Sequence, residues 1–538
     1  MPENEPRHLP IYLSLDQIPE VKQPMPVMRL GAQVVAPEAL LQDIVRAVAP
    51  EAELKDLGDT GARAAYDGNR LVAFVHPETG ESRVFPALER LKPGQDLGER
   101  AARIAARIAD DDSLFTKDGT RVAALAPVTL FGSRHTRDER ETQPEEFLSF
   151  VRLQRQVDEF PVFGPGTRAM IAVGADDSLY AFAHRWRQAL PTDEEVAPHP
   201  RESIVETILA QLATNAKSAE VTVDTVTLGY YDGGMDFLQP VYRFQATVAF
   251  TNQELHAANR HVFGYVSIGE PLESLPVLGV LQGPLPEEPL QQGEHRAAPG
   301  PIPPGDPTVG RYVVRNDTDA WVTNANEFLA GLQEASIFRI TLTFTDSQYY
   351  WAEPFEFVSN KDSFVNSVNI ALNEVHGNWG LFSTRDNKDD LVSLSSIPSS
   401  GYGSAGGGSL AYWILHSCEV IPTQTDESTS FDVWWNIFNG LHAVVGYRTS
   451  MLIADGVPGP FGFLVGLGAS VVSAWLSEVS SNSNYGSNDT TYHDDNRKID
   501  EPFGRASAVA VCGHSDDTAF DIGSLGRANC LTEWWFNN

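Results

Sequence analysis

The chain is poor in cysteine: its 538 residues include three, Cys418, Cys512 and Cys530. Three thiols are too few for a disulfide framework, so the fold must rest on buried apolar area. Positive charge is also scarce, with 39 Lys+Arg against 72 Asp+Glu and a net charge of −33. The deficit is spread evenly, roughly −17 before Gly310 and roughly −16 after it. A field of that sign repels nucleic acid and anionic lipid, which excludes both as expected partners. No apolar run is long enough for a transmembrane helix. The most apolar stretch, Phe461–Leu476, is short and glycine-rich, as suits a buried segment. Met1–Pro10 lacks the basic-then-apolar order of a secretory signal, so a cytoplasmic location is the default and a secreted chain the alternative.

What remains is globular: 42% hydrophobic and 21% charged residues can bury several cores. Proline, glycine and glutamine concentrate from Pro284 to Gly310, including Pro299-Gly300-Pro301-Ile302-Pro303-Pro304-Gly305. Such a stretch favours extended, exposed backbone. It predicts a linker over 276–310 between two independently folding halves.

Before the linker the pattern is α+β, divided into modules at 1–127 and 128–275. Helical spacing appears in Pro37–Ala47, Leu97–Ala109 and Glu202–Asn215. Strands are expected at Leu71–Val75 and Ser82–Phe85, and within Phe147–Arg155. Ala169–Val173 and Leu179–His184 predict a hairpin, and Thr225–Tyr231 and Val241–Phe250 complete the second module.

After the linker, over 311–538, near-continuous apolar strands alternate with helices. The strands are Phe338–Thr343, Asn369–Val375, Leu410–Leu415, Ala443–Tyr447 and Ala508–Val511. The helices are Asn324–Leu332, Phe431–Asn439 and Ser470–Val479. The alternation predicts an α/β domain with a mainly parallel, helix-covered sheet. Two apolar runs end in chemistry: Val368–Leu372 leads to Val375-His376-Gly377, and Leu410–Leu415 leads to Ser417-Cys418. The carboxyl ends of buried parallel strands are where open α/β sheets place reactive groups. Histidine and cysteine are the pair needed for a thiolate nucleophile and its acid/base partner.

The order apolar strand, His-Gly, spacer, apolar strand, Cys resembles the cysteine peptidase clan of caspases, legumains and gingipains. The stretch from His376 to Trp535 is similar to an uncharacterised bacterial relative of that clan. Its features here are His416-Ser417-Cys418-Glu419, Trp434-Trp435, Gly440-Leu441-His442, Gly446-Tyr447-Arg448-Thr449 and Cys512-Gly513-His514. The resemblance implies a caspase-like fold and a peptide or protein substrate. It makes His376 the acid/base and Cys418 the nucleophile, with the Gly377 and Cys418 N–H groups as oxyanion donors. Glycine at 377 lets backbone approach a substrate, and two convergent N–H donors suit an oxyanion.

One departure is Glu419-Val420 after the cysteine, where the clan has a small residue. A carboxylate there opposes thiolate formation. Arg448, a charge at an apolar strand end, is the candidate for binding a substrate carboxylate; an internal pair with Glu419 or Asp455 is the plainer role. The Gly/Ser-rich loop Ser399–Gly408 reads as a substrate flap or a plain surface loop. His442 and His514, together with His376, His416 and Cys418, offer zinc-type ligands. No C-x-x-C or H-x-x-x-H spacing occurs, however, so no metal and no cofactor is assigned. The alternatives to a cysteine hydrolase are an inactive binding or structural protein of the same fold, and a metal-dependent hydrolase.

The N-terminal half resembles peptidase propeptide-type modules over roughly Val128 to Val266. The carrying residues are Pro161-Val162-Phe163-Gly164-Pro165-Gly166, Trp186-Arg187 and Leu228-Gly229-Tyr230-Tyr231 followed by Leu238-Gln239-Pro240-Val241-Tyr242. The resemblance implies that this half docks on the C-terminal domain as chaperone or inhibitor; an accessory domain is the alternative.

Overall fold

A computed structural model of the chain describes residues 10–33, 38–76, 78–110, 120–138, 143–213, 216, 219–250, 260–278, 287–291, 306–315, 319–338, 343–384, 390–423, 431–482, 484–485, 490–494, 497–501 and 503–537. The protein is α+β, built on one large mixed sheet. In chain order the strands of that sheet are β1 (Arg63–Asp67), β2 (Arg70–Val75), β3 (Ser82–Val84), β4 (Val128–Thr136), β5 (Glu145–Val157), β6 (Arg168–Val173) and β7 (Leu179–Arg185). The C-terminal half adds β8 (Thr308–Val313), β9 (Thr345–Trp351), β10 (Ile370–Glu374), β11 (Tyr412–His416), β12 (Ala443–Tyr447), β13 (Ala506–Val511) and β14 (Cys530–Phe536).

Hydrogen bonding orders them β9-β8-β10-β11-β12-β13-β14-β4-β5-β6-β7-β3-β2-β1. The segment from β9 to β12 is parallel, and every later junction is antiparallel. The expected mainly parallel sheet is therefore corrected: the sheet is largely antiparallel, with a parallel segment at one end. The reversal starts at β13, which returns beside β12 and forms an antiparallel pair with β14.

The two halves, expected to fold independently, share one sheet. Strand β14, the last of the chain, pairs with β4 from Cys530↔Thr136 to Phe536↔Leu130, so one ladder joins the two halves. The boundary at Val128 likewise falls inside a sheet, because β4 to β7 continue into β3, β2 and β1. The linker is shorter than composition implies, since β8 begins at Thr308. The expected strand at Phe338–Thr343 lies partly outside the described residues; a short 3-10 turn at Ala335–Ile337 precedes it, and the strand β9 follows it at Thr345–Trp351. A second sheet in the N-terminal half (Met25–Gln33, Arg187–Val196, Ala219–Asp232, Phe237–Phe250, Arg260–Ser267) packs on the helix Arg201–Leu212.

In β10, β11 and β12 every residue is buried, as expected of strands covered on both faces. Helix α1 (Asp319–Glu334) presents Trp321, Ala325, Phe328 and Leu332 to this core at helical spacing. It lies close against α2 (Pro458–Gly466): a Cβ on Gly331 would meet the Gly459 carbonyl, so glycine sets the approach. Helix α3 (Val471–Ser481) is buried almost throughout and packs on β12 and β13. Its Glu478 accepts from Arg83 (2.8 Å) and Arg168 (2.5 Å) of the N-terminal half, a buried ion cluster that Glu81 extends through Arg83 (2.7 Å).

Candidate active site

Strands β10 and β11 are in parallel register with Glu374 opposite His416. His376 and Cys418 each lie two residues beyond that pair, so both strands deliver them to the same sheet edge. A Cβ on Gly377 would meet Ser417 Oγ and the Cys418 carbonyl, which brings the two strand ends into contact there. Gly377 then opens a small hairpin sheet, opposite Phe382, and Ser383 N–H donates to the His376 carbonyl (2.8 Å). Trp321 of α1 sets its ring edge-on to His376, with centroids 5.3 Å apart.

The thiol environment works against ionisation. Cys418 keeps a partly open surface, yet the protein packed around it pushes its pKa up to about 12. Burial is the main cause, Glu419 adds like-charge repulsion, and a hydrogen bond from Met451 N–H to Sγ (3.4 Å) pulls the other way. Glu419 sits at φ 50°, a left-handed conformation uncommon outside glycine. Its N–H donates to Thr449 O (3.1 Å), and its carboxylate accepts from Ser450 (3.0 Å). The segment Ser450–Ile453 thus lies over the thiol. Leu452 in it bridges to His261 of the N-terminal half, and Tyr265 of that half donates to Asn484 (3.1 Å).

Beneath the strand ends lies a charged cluster that the sequence did not reveal. His416 Nδ1 is 2.8 Å from Glu374, and Nε2 is 3.3 Å from Asp455. Asp455 also accepts from Tyr447 (2.6 Å) and Tyr485 (2.5 Å), and Glu374 accepts from Asn324 (3.1 Å). All of these groups are buried. Burial opposes charge on His416, but the Glu374 and Asp455 carboxylates override it and hold its pKa up at about 10. Burial lifts Glu374 to about 7 against the pull of His416. One signal was available: Glu374 is a carboxylate inside the otherwise near-apolar run Ile370–Val375, and a buried charge demands a partner.

Other candidates move. Arg448 is buried, and its guanidinium donates to the Phe536 carbonyl at the end of β14 (2.8 Å). The contact ties Arg448 to the last strand, which supports an internal role beside the expected substrate-binding one. The Ser399–Gly408 loop is a packed turn: Tyr402 is buried with its hydroxyl on Phe357 O (2.6 Å), and Gly403 N–H donates to Asn366 (2.7 Å). Cys512 and Cys530 form a disulfide. His442 and His514, two of the five zinc-type ligands noted in the sequence, come together with Asp517.

Residues 308–502 match the model of a domain of unknown function, DUF6345, whose first residue coincides with the start of β8. No curated protein matches the sequence. Among solved structures, an uncharacterized protein from Eubacterium rectale is similar at 10% identity and a TM-score of 0.29, over 46% of this chain and 84% of that one.

Proposed function

We propose that the protein is a cysteine-dependent amide hydrolase acting on a peptide or protein substrate, held latent in the conformation described above. The observation that carries the reading is the matched register of β10 and β11, which sends His376 and Cys418 to one sheet edge beside the Gly377 backbone. In the proposed reaction Cys418 Sγ attacks the carbonyl carbon as His376 takes the thiol proton. The Gly377 and Cys418 N–H groups receive the oxyanion, and His376 returns the proton to the leaving amine. Water then cleaves the thioester, releasing the acid and restoring the thiol.

In this reading burial and Glu419 keep the thiol protonated, and the Ser450–Ile453 segment beside it is bridged to the N-terminal half at Leu452 and His261. A propeptide-like role for that half fits this contact. The Cys512–Cys530 bond supports an oxidising compartment and hence the secreted alternative.

A second reading, an inactive protein that kept the fold, is favoured by the same thiol pKa of about 12. Labelling of the folded full chain with a peptide-type thiol electrophile, before and after limited proteolysis between Pro284 and Gly310, separates the two. The hydrolase reading expects modification at Cys418 that rises after the cut and falls in His376→Ala. Labelling of Cys418 only after denaturation would leave the inactive reading standing.

A further inference from the structure

We infer that His442, His514 and Asp517 form a binding site for a zinc-class divalent cation, at the opposite edge of the sheet from Cys418. The inference is independent of the hydrolase reading. Nδ1 of His442 and Nδ1 of His514 each lie 2.7 Å from the same oxygen, Asp517 Oδ2. The other nitrogen of His442, Nε2, faces the Gly523 carbonyl at 2.8 Å. A carbonyl only accepts, so Nε2 donates there, which leaves Nδ1 as the nitrogen that faces Asp517 and would meet a cation held between them. Donation of the distal N–H to a backbone carbonyl is also what orients a metal-ligating histidine.

The three ligand-bearing backbones are tied together. Val511 N–H donates to His442 O (3.0 Å), and His442 N–H to Ala411 O (2.8 Å). His514 N–H closes a turn on Val511 O (2.9 Å), and Asp517 N–H reaches His514 O (3.2 Å). Gly513 at φ 81° makes that turn, and the Cys512–Cys530 bond anchors its second residue. Tyr412 donates to the Thr518 (2.7 Å) and Asp521 (2.9 Å) carbonyls, fixing the segment that ends at Gly523.

Zinc takes nitrogen and oxygen ligands at about 2.0–2.2 Å, which sets tetrahedral donors about 3.4 Å apart. The 2.7 Å spacings need open by only about 0.7 Å to reach that geometry. His442 is the buried wall, with its side chain 3% exposed, while His514 (33%) and Asp517 (19%) face outward. Entry is therefore open, and three protein ligands leave a fourth position for water. Two imidazoles with one carboxylate favour a borderline cation over calcium or magnesium, which prefer all-oxygen cages.

The test uses the folded full chain, stripped with chelator and titrated with zinc chloride, with metal counted after gel filtration. The expected result is one zinc per chain, and cobalt substitution giving the intense visible absorption of a tetrahedral site. His514→Ala and Asp517→Asn alter partly exposed residues and should still fold. Because loss of an outer-shell partner alone costs about 10–100-fold in affinity, each should lose more than about a hundredfold. A zinc-dependent rise in melting temperature should vanish in both. Less than a tenth of an equivalent bound by the wild-type chain, or unchanged affinity in both variants, would overturn the inference.

Discussion

Replacing His416 with alanine removes the cation from between two buried carboxylates. In the folded wild type the imidazole pKa is held at about 10 against an ordinary 6.5. A group raised in this way contributes stability that is fully present below 6.5 and is lost as pH climbs through 10. The shift corresponds to roughly 5 kcal/mol at about 1.4 kcal/mol per unit. That agrees with about 3–5 kcal/mol for deleting one member of a buried ion pair. His416→Ala should therefore be less stable by about 3–5 kcal/mol near neutral pH, with a smaller penalty at pH 10.

Urea unfolding of both proteins at several pH values reads this directly. Lysines and exposed tyrosines titrate in both, so only the difference between the two curves is diagnostic. The wild type should lose stability relative to the variant across that window, by at most about 1.4 kcal/mol per pH unit because Glu374 titrates with the imidazole. A penalty under about 1 kcal/mol near neutrality, or one independent of pH, would refute the assignment of a charged His416 between Glu374 and Asp455.

Three further outcomes follow from the same contacts. Under non-reducing denaturation the chain should titrate as a single thiol, Cys418, and reduction should cost about 2–3 kcal/mol for closing a loop with a separation of 18; three titratable thiols would contradict the Cys512–Cys530 bond. A fragment beginning at Asp306 should aggregate, because it leaves β14 an unpaired edge in place of its ladder with β4; a soluble, cooperatively unfolding monomer would show that the ladder is dispensable. Burial opposes ionisation of Glu81, but Arg83, Arg168 and Arg185 hold its pKa down at about 2; its contribution is present above its ordinary 4.5 and is lost as pH falls towards 2, so Glu81→Gln should flatten the acid limb of the stability curve, and an unchanged limb would count against that cluster.

Much of the local structure was legible. Leu97–Ala109 and Ala443–Tyr447 occupy the bounds that their periodicity predicts, and the hairpin at 168–185 differs at its ends only. Such elements declare themselves because side-chain period follows backbone geometry. The thread between the halves was not legible. Both halves are acidic, yet Arg83 and Arg168 meet Glu478 across hundreds of residues of sequence. Net charge averages over the surface that such pairs escape. The contact of Arg448 was hidden for a related reason, since nothing near it in sequence reveals that the last strand ends beside it.

Strand direction decided what else stayed hidden. A parallel β13 would end at the edge that carries Cys418. The observed β13 runs the other way, with Ala510 opposite Ala443. Its carboxyl end therefore arrives beside His442, at the amino edge of β11 and β12. That single reversal carries Cys512, His514 and Asp517 to His442, and it aligns Cys530 for the disulfide. Apolar periodicity is the same for a strand read in either direction, so the pattern gave the strand but not its sense. The consequence is two chemically distinct edges on one set of strands: a thiol and a histidine where the parallel strands end, and two histidines and a carboxylate where they begin. Tyr412 to Cys418 spans six residues, about 20 Å of extended chain. A single reacting group cannot span that distance, so the two edges must be tested as separate sites.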